Sequence, residues 1–457
     1  MKKITLGAGS GYWGEPLDLP LELAQRADLN YLGLELLAEL SMSILQRWKN
    51  KDPSKGYVPD LIEMMKLILP YTIPKGTKII TNGGGTNPQQ AAEEIARIIK
   101  EQKLPPVKIG IIEGDDVYHK LDELLKKGIE LVNLDTGEKD ISAIKDRIVA
   151  AHVYIGSDLI IEALQEGADI VIGGRLSDNA LYVGPMMYEF GWCFENPAWD
   201  KIGAAVTIGH IIECGECVTG GMSNFWKDNP EPWNMGMPIA EVYENGEAII
   251  TKTPDSGGQL AVNTVREHLV YETHDPRNYI MPDAIADLTT VKLEQVGKDR
   301  VRVSNMTGKK RPEQLKVQIG YDDGYIAETM FMVTWPEAVK KARLFEEMIR
   351  RRLDKYSLKP REIAFEWIGV NSAHGSVAPA PENEDAINEI GLRAVAKFNT
   401  REEAYRARRF AMGGSLILGP VGTGFAAPVP ERRVIALWPT LIPREEVKLT
   451  LTMKEVR

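Results

Sequence analysis

Short apolar runs alternate with helix-like patterns from residue 1 to about residue 225, and this alternation constrains the fold more than any other feature. The apolar runs predict strands at residues 3–7, 30–37, 77–81, 107–113, 130–134, 149–156 and 168–173. Strands separated by helices are typical of a parallel sheet with helices packed on its faces. We therefore predict an α/β fold with a parallel, doubly wound, Rossmann-like sheet. The number of strands leaves a closed (β/α) barrel as the alternative.

The pattern changes after residue 228. Residues 229–238, NPEPWNMGMP, are rich in proline and predict a linker. Turn residues at 245–246, 297–299 and 322–324 then separate alternating apolar runs, and each predicts a β-hairpin. We expect an α/β domain over residues 1–228 and an α+β domain rich in antiparallel strands over residues 239–457.

Length and charge limit the classes of function. The chain has 457 residues, which favours two or three domains over a single core. A net charge of −10 argues against nucleic acid or an anionic membrane as the main partner. No run predicts a signal peptide or a membrane span, and three cysteines supply no disulfide framework. We expect a cytoplasmic protein with no nucleic-acid or membrane partner.

Two glycine-rich turns follow predicted strands. The first, GAGSGYWGE, lacks the G-x-G-x-x-G spacing of nicotinamide- and flavin-binding folds. The second, NGGG, precedes a helix, where backbone amides can cup a carboxylate or a phosphate. The alternative for both is a plain strand-to-helix turn. The turns predict substrate contacts at Gly9, Ser10, Tyr12, Trp13, Asn82, Gly83 and Gly84.

Charged side chains follow two of the predicted strands. Arg175 and Asp178 come directly after the buried run at 168–173. Arg175 is suited to hold a substrate carboxylate, and Asp178 is suited to acid–base catalysis. The alternative is an ion pair between the two side chains. Glu35 and Glu39 lie near the carboxyl end of the strand predicted at 30–37, at the edge where open parallel sheets place their sites.

The segment 203–225, GAAVTIGHIIECGECVTGGMSNF, concentrates reactive side chains. Its apolar run predicts a helix over residues 199–217, on which His210, Cys214 and Cys217 share one stripe and Glu213 lies beside His210. We interpret the stripe as the polar wall of a substrate pocket, with His210, Glu213 and Cys214 as catalytic candidates. The alternatives are a soft metal site, redox chemistry at the cysteine pair, or ordinary core packing. Cys-x-x-Cys supplies only two ligands, so no metal ligand set is predicted.

Two acidic turns lie further along the chain. Asp255 precedes Ser-Gly-Gly, and His274 begins the sequence HDP. Either turn is suited to reach a ligand across a domain cleft. The alternative for each is a surface turn closed by its aspartate side chain.

These motifs resemble the acyclic terpene utilisation family. The resemblance covers nearly the whole chain in family order: GAGSGYWGE, YLGLELLAELSMSIL, ITNGGGTNP, GGRLSDNA, GHIIECGECVTGG, PDSGGQLAVNTVREHLVYETHDPRNY and GPVGTGF. The family is named for the breakdown of citronellol- and geraniol-type terpenoids through CoA thioesters, and Cys217 departs from its pattern. Larger relatives carry a C-terminal ferredoxin-like domain. Because this chain stops after EVKLTLTMKEVR, the resemblance implies that a separate small subunit supplies that domain.

The motifs and the resemblance together predict a catabolic enzyme. We expect acid–base hydration or dehydration of a branched or unsaturated carboxylic acid or its CoA thioester. The alternatives are a non-catalytic acyl-binding or scaffolding subunit and a metal-dependent lyase. No dedicated cofactor is predicted: CoA would enter as part of the substrate, and a divalent metal stays open. We expect an oligomer.

Overall fold

The computed structural model describes residues 1–412, 422–424 and 429–457. The helix end predicted at Gly413-Gly414 and most of the GPVGTGF motif lie outside the described residues. The chain forms two compact units, residues 1–320 with 437–457 and residues 321–436. The chain thus passes from the first unit to the second after residue 320, whereas the sequence pattern predicts a domain boundary at residues 229–238.

The described helices and strands are as follows. The helices are α1 Asp18–Arg26, α2 Ser41–Lys51, α3 Pro59–Lys75, α4 Pro88–Glu101, α5 Leu121–Lys126, α6 Asp158–Gln165, α7 Ala180–Phe190, α8 Trp199–Glu213, α9 Val262–Val270, α10 Ala338–Lys355 and α11 Arg401–Arg406. The strands are β1 Lys3–Ser10, β2 Tyr31–Leu34, β3 Lys78–Thr81, β4 Val107–Glu113, β5 Ile148–Val153, β6 Ile170–Gly173, β7 Pro238–Tyr243, β8 Ala248–Lys252, β9 Tyr279–Ile280, β10 Ile285–Asp287, β11 Lys292–Gly297, β12 Arg300–Ser304, β13 Thr307–Lys309, β14 Gln314–Thr334, β15 Glu362–Ile368, β16 Glu389–Phe398, β17 Gly422–Gly424, β18 Arg432–Pro443 and β19 Thr450–Val456.

The first unit is built on a ten-stranded mixed sheet in the order β11-β12-β8-β7-β1-β2-β3-β6-β4-β19. The five strands from β1 to β4 in this order are parallel to their neighbours, while β7 and β19 pair antiparallel with the two ends of that block. The buried runs KIIT and IVIG of β3 and β6 have the β-branched composition of central parallel strands. The carboxyl ends of the five strands therefore meet at one edge.

Helices cover both faces of the parallel block. Ile109 and Ile111 of β4 belong to the apolar core that contains side chains of α3 and α4. A Cβ on the intervening Gly110 would lie 2.9 Å from Ala163 of α6. Because adjacent strand residues point to opposite faces, α4 and α6 lie on opposite sides of the sheet.

The sheet confirms the predicted α/β class but corrects its details. Within the described part of the chain the sheet ends at β11 and β19, so the barrel alternative is wrong. The Rossmann-like detail is not confirmed, because the parallel order β1-β2-β3-β6-β4 differs from the 3-2-1-4-5-6 order of that fold.

Two of the three predicted hairpins are confirmed. The turns at 245–246 and 297–299 join β7 to β8 and β11 to β12. The hairpin predicted at residues 322–324 is wrong, because β14 continues through these residues as a single strand. Asp323 pairs with Arg361 and Lys397, and Gly324 has a φ of +86°, so this Asp-Gly step is a local irregularity within one strand.

The second unit has its own sheet and core. Its strands follow the order β15-β16-β14-β17, with β14 and β16 paired antiparallel from Tyr325 to Thr334. α10 packs on this sheet, and Phe345 of α10 stacks on Phe331 of β14 with ring centroids 4.8 Å apart. In neither unit does a described helix combine the length and apolar character needed to cross a membrane.

Substitution of Gly33 in β2 tests how closely the ring of Tyr182 packs against the parallel block. A Cβ at this position would lie 2.5 Å from Cε1 of the buried Tyr182. We expect Gly33→Ala to lower the free energy of unfolding by about 1–3 kcal/mol, because neither the strand nor the ring can yield freely. Gly297→Ala is the matched control, since its Cβ would meet nothing closer than 3.6 Å, and its effect should stay within about 0.5 kcal/mol. Urea unfolding of both variants measures the difference, and equal effects would contradict this packing.

Candidate functional site

Polar side chains converge at the carboxyl edge of the parallel strands. The backbone oxygen of Glu35, just after β2, accepts a 2.8 Å hydrogen bond from Oγ of Ser10, the last residue of β1. Oε1 of Glu35 accepts hydrogen bonds from Nδ2 of Asn82, just after β3, at 3.0 Å and from N of Leu37 at 2.7 Å. The side chains of Ser10, Glu35 and Asn82 are buried. The parallel register therefore holds Glu35 in the interior with Oε1 engaged.

Arg175 lies directly after β6 and is 2% exposed. Its Nη1 donates to Oδ1 of Asp178 at 2.9 Å, and its guanidinium carbon lies 4.0 Å from the ring centroid of Tyr154. Its backbone N donates to Oδ2 of Asp115 at 2.9 Å, and Nδ1 of His152 lies 3.1 Å from the same oxygen. The structure thus forms the Arg175–Asp178 ion pair, which the sequence left open as the alternative to carboxylate binding.

The C-terminal turn of α8 brings an imidazole to a carboxyl group. α8 is buried from Ile202 to Glu213, as expected for a helix that is apolar on every face. Nδ1 of His210 lies 3.0 Å from Oε1 of Glu213 and 3.2 Å from Oη of Tyr279. Nε2–H of His268, on α9, donates to the backbone oxygen of His210 at 2.9 Å. Three separate segments therefore hold His210 in place.

The predicted helix over residues 199–217 is too long. α8 ends at Glu213, and Gly215 has a left-handed φ of +57° that is incompatible with a continued α-helix. A single 3₁₀ turn covers residues 215–217. Cys214 is consequently a cap residue, and Cys217 does not continue the predicted helical stripe.

A single guanidinium group, that of Arg175, interacts electrostatically with three carboxyl groups, those of Glu35, Asp178 and Glu213. We call these four residues the carboxyl cluster. Burial raises the pKa of Glu35 well above its usual range; the charge of Asp178 adds to this rise and Arg175 opposes it. Burial and then Asp178 also raise the pKa of Glu213, with Arg175 again opposing. Because Arg175 pairs with Asp178, it offsets the rise only in part, and Glu35 and Glu213 hold their protons to a higher pH than exposed glutamates do.

The two histidines beside the cluster are neutral. Burial lowers the pKa of His210 to about 4, and burial with the nearby His210 lowers that of His268 to about 3. Because His210 is uncharged at neutral pH, its contact with Glu213 is a hydrogen bond rather than an ion pair.

The cluster contains two polar atoms that can meet a ligand. Oη of Tyr182 and Oε2 of Glu213 are buried and have no hydrogen-bond partner among the described residues. Buried polar atoms are normally paired, so such atoms point to a binding position. The side chain of Asp178 is 33% exposed, and Cys214 is half-buried. The cluster is therefore open to solvent at Asp178.

The cysteines behave as thiols. Burial, reinforced by Glu213, raises the pKa of Cys214 far above its usual value. Burial and Glu15 raise the pKa of Cys217 to about 11. Neither forms the thiolate that nucleophilic or metal-binding cysteines require at neutral pH. No group of three or more His, Cys, Asp or Glu side chains in the described ranges is arranged to hold a metal ion.

The turn after β1 packs against the cluster from one side. A Cβ on Gly11 would lie 2.6 Å from the backbone of Cys214, so glycine allows this turn to touch the end of α8. Gly9 makes a similar close approach to side chains of β2. Tyr12 is 48% exposed, and Trp13 packs edge-on against a tryptophan of α2 with ring centroids 5.4 Å apart.

Backbone amides of the NGGG turn donate hydrogen bonds to other groups of the protein. N of Gly83 donates to a threonine of β3, and the amides of Gly85, Thr86 and Asn87 donate to backbone oxygens. A Cβ on Gly84 would lie 2.6 Å from a backbone oxygen of β6. The turn thus serves close packing, and the amides of Gly83 and its neighbours would have to leave these partners before they could cup an anion.

Asp255 and His274 take no part in the hydrogen bonds of the carboxyl cluster. Asp255 is exposed with a φ of +56°, and its backbone oxygen accepts a 3.2 Å hydrogen bond from Arg26. His274 is exposed, and the adjacent Asp275 accepts a 3.0 Å hydrogen bond from N of Arg277. The HDP segment therefore forms the surface turn named as its alternative.

Sequence reasoning missed Tyr182, His268 and Tyr279. His268 and Tyr279 lie in the same long motif as His274, but only the two missed residues contact His210. One signal could have found Tyr182: a glycine inside a strand often marks a close approach by another part of the protein, and Gly33 faces the Tyr182 ring.

The comparison with protein families settles the family. A model described as "Acyclic terpene utilisation family protein AtuA" matches residues 4–453. The chain belongs to this family. Membership implies a part in the utilisation of acyclic terpenes and confirms the resemblance seen in the sequence motifs. No curated protein and no solved structure matches the chain.

Because His210 and His268 are buried and neutral, we expect the protein to lose stability in acid. Their pKa values are lowered in the folded state, so the unfolded chain binds more protons as the pH falls from about 6.5 to about 4, and the folded state loses stability across this window. We expect His268→Gln, whose amide can still donate to His210, to reduce this slope by about one proton, or about 1.4 kcal/mol per pH unit. Urea unfolding across the window measures the slope. Between about pH 7.5 and 8.5 the two proteins should have parallel curves, and an unchanged slope in acid would contradict the buried neutral state.

Proposed function

We propose that the chain is a cytoplasmic enzyme that adds water to, or removes water from, a branched or unsaturated carboxylic acid or its CoA thioester. One observation carries this proposal: a single cluster contains a partly exposed carboxyl group, Asp178, that is ion-paired with Arg175, and a buried carboxyl group, Glu213, whose pKa is raised by burial. Carboxyl groups whose environments separate their protonation states are suited to act as base and acid in one reaction.

Glu213 is the better acid of the two protonated carboxyl groups. Oε1 of Glu35 is engaged by Asn82 and a backbone amide, which gives Glu35 a structural role. Oε2 of Glu213 has no partner in the described residues. With the proton of His210 on Nδ1, that N–H donates to Oε1 and orients the carboxyl group so that Oε2 carries the acidic proton.

Hydration would then proceed as a balanced proton exchange. Asp178 takes a proton from water as the water oxygen bonds to one carbon of the substrate double bond, and Glu213 gives its proton to the other carbon. Dehydration is the reverse. Arg175, predicted to bind the substrate carboxylate, holds Asp178 in place through the 2.9 Å contact, and the hydroxyl of Tyr182 is available to a substrate oxygen.

Substitution of the acid and the base separates their roles. We expect Asp178→Asn and Glu213→Gln each to lower kcat by about 10²–10⁴-fold. The rate of the parent falls in alkali as Glu213, with its raised pKa, loses its proton, and Glu213→Gln removes this limb of the pH profile. The assay follows the ultraviolet absorbance of conjugated, branched acids and of their CoA thioesters.

Glu216→Gln is the matched control, because Glu216 lies one turn after Glu213 and makes none of the cluster's hydrogen bonds. It should keep the activity and pH profile of the parent. If Asp178→Asn and Glu213→Gln also keep kcat within about threefold, the acid–base assignment is wrong.

We further propose that a separate small ferredoxin-like subunit completes the enzyme. This proposal rests on the larger relatives that carry such a domain. Tagged protein isolated from its native host should bring down one small protein in equal amount, detected by mass spectrometry, and that protein should raise the turnover of the chain. Isolation of the chain without such a protein contradicts the proposal. Substrate binding without turnover by the pair favours the alternative function, a non-catalytic acyl-binding subunit.

A further inference from the structure

A cavity of about 570 Å³ lies on the helical surface of the first unit, apart from the carboxyl cluster. It is formed by the end of α2, the loop over residues 52–58, the start of α3 and one turn of α4. Two aromatic and two aliphatic side chains line it together with basic and acidic side chains. The residues that matter below are Trp48, Tyr57, Ile62, Lys51, Lys55 and Arg97.

The aromatic side chains of this cavity are supported and accessible. Trp48 is 37% exposed although its ring packs edge-on against Trp13, with centroids 5.4 Å apart and planes at 87°. Tyr57 packs partly against the apolar core of α3 and α4. Fixed aromatic rings with accessible faces are the elements on which proteins stack planar bases.

The segment that forms one wall of the cavity is basic, although the lining as a whole holds three basic and three acidic side chains. Residues 47–55 carry Arg47, Lys49, Lys51 and Lys55 against one acid, Asp52, in a chain with a net charge of −10.

The acidic side chains at the cavity already have partners in the described residues. Asp52 accepts from Ser54 at 2.7 Å, and Glu94 pairs with Arg97 at 2.7 Å. Glu63 lies 3.4 Å from Lys66. Lys51 and Lys55, in contrast, have no ion-pair partner within the described part of the chain. Their ammonium groups can therefore bind phosphate oxygens.

The cavity adjoins the carboxyl edge of the sheet. Its loop is bound to the NGGG turn by a 2.8 Å hydrogen bond from N of Thr86 to the oxygen of Gly56 and by one of 2.9 Å from N of Val58 to the oxygen of Gly83. Nδ2 of Asn87 also donates to the oxygen of Lys55 at 2.8 Å. The same turn carries Asn82, which binds Glu35.

We propose that this cavity binds a nucleoside phosphate, with the base on Trp48 and Tyr57 and the phosphates on Lys51 and Lys55. The inference rests on the proposed function, in which a CoA thioester is a substrate. The nucleotide end of CoA and a free adenine nucleotide share the required chemistry. If the ligand is the nucleotide end of CoA, the cavity anchors the substrate while the acyl end of the thioester occupies the carboxyl cluster.

Calorimetry with four probes tests the proposal: CoA, adenosine 3′,5′-bisphosphate, pantetheine and a branched carboxylic acid without phosphate. The first two should bind to the parent, more weakly as salt rises, and pantetheine should not bind here. Lys51→Glu and Lys55→Glu should each weaken the binding of both by about fivefold, and Trp48→Ala should weaken it by about tenfold. Both lysines are exposed, so their variants keep the fold.

Trp226 and Lys227 provide matched controls. They form an exposed tryptophan–lysine pair elsewhere on the first unit, with Nζ 5.5 Å from the ring centroid. Trp226→Ala and Lys227→Glu should leave CoA binding unchanged. Loss of binding in these controls, or unaltered binding in Lys51→Glu and Lys55→Glu, would overturn the proposal. If the carboxylic acid alone binds and Trp48→Ala weakens its binding, the cavity is assigned to an apolar acid instead.

The outcomes separate the two sources of the ligand and separate this proposal from the proposed function. Binding of CoA and the bisphosphate, with a raised KM and an unchanged kcat for acyl-CoA in Lys55→Glu, identifies the nucleotide end of the substrate. Binding of the bisphosphate without an effect on KM identifies a free nucleotide. If acyl-CoA is turned over but the binding of CoA and of the bisphosphate does not depend on Lys51, Lys55 or Trp48, the nucleotide site is refuted and the proposed function stands. Nucleotide binding without turnover refutes only the proposed chemistry.

Discussion

A single buried guanidinium faces three carboxyl groups, and the site depends on this imbalance. Arg175 neutralises only one of them, and its 2.9 Å contact goes to Asp178. An unpaired carboxylate in the interior would cost several kcal/mol, and burial therefore raises the pKa values of Glu35 and Glu213. The arrangement stores an acid and a base within one cluster without a direct bond between them. This property follows from the charges and the burial and does not depend on the identity of the substrate.

Backbone spacing makes the cluster compact. The parallel register brings the ends of β1, β2, β3 and β6 to one edge, and each end contributes a polar residue. Gly33 and Gly11 then allow a tyrosine ring and the end of α8 to approach closer than any side chain at these positions would permit. The many glycines that appeared in the sequence as ligand-binding turns act here mainly as spacers. They shape the site through packing, and the side chains around them carry the chemistry.

The sequence predicted the α/β class and several strand ends, and it drew attention to residues of the candidate site, because each left a local pattern. Arg175 and Asp178 directly follow a buried run, and His210 and Glu213 share an apolar helix. The remaining features depend on contacts distant in sequence. No local pattern showed that β7 would pair with β1 in the parallel block. His274 was favoured because its neighbours are polar, whereas Tyr279 reaches His210 across 69 positions of sequence. The Asp-Gly step at 323–324 carried a strong turn pattern that ion pairs to Asp323 override.

The protonation state of Glu213 at neutral pH is the most direct test of this account. Infrared difference spectra between the parent and Glu213→Gln at pH 7 report it without any knowledge of the substrate. The account predicts that the parent shows the C=O stretching band of a buried protonated carboxyl group and that the variant lacks it. If the variant instead lacks only carboxylate bands, Glu213 is ionised in the folded protein, and the division of the cluster into an acid and a base is wrong.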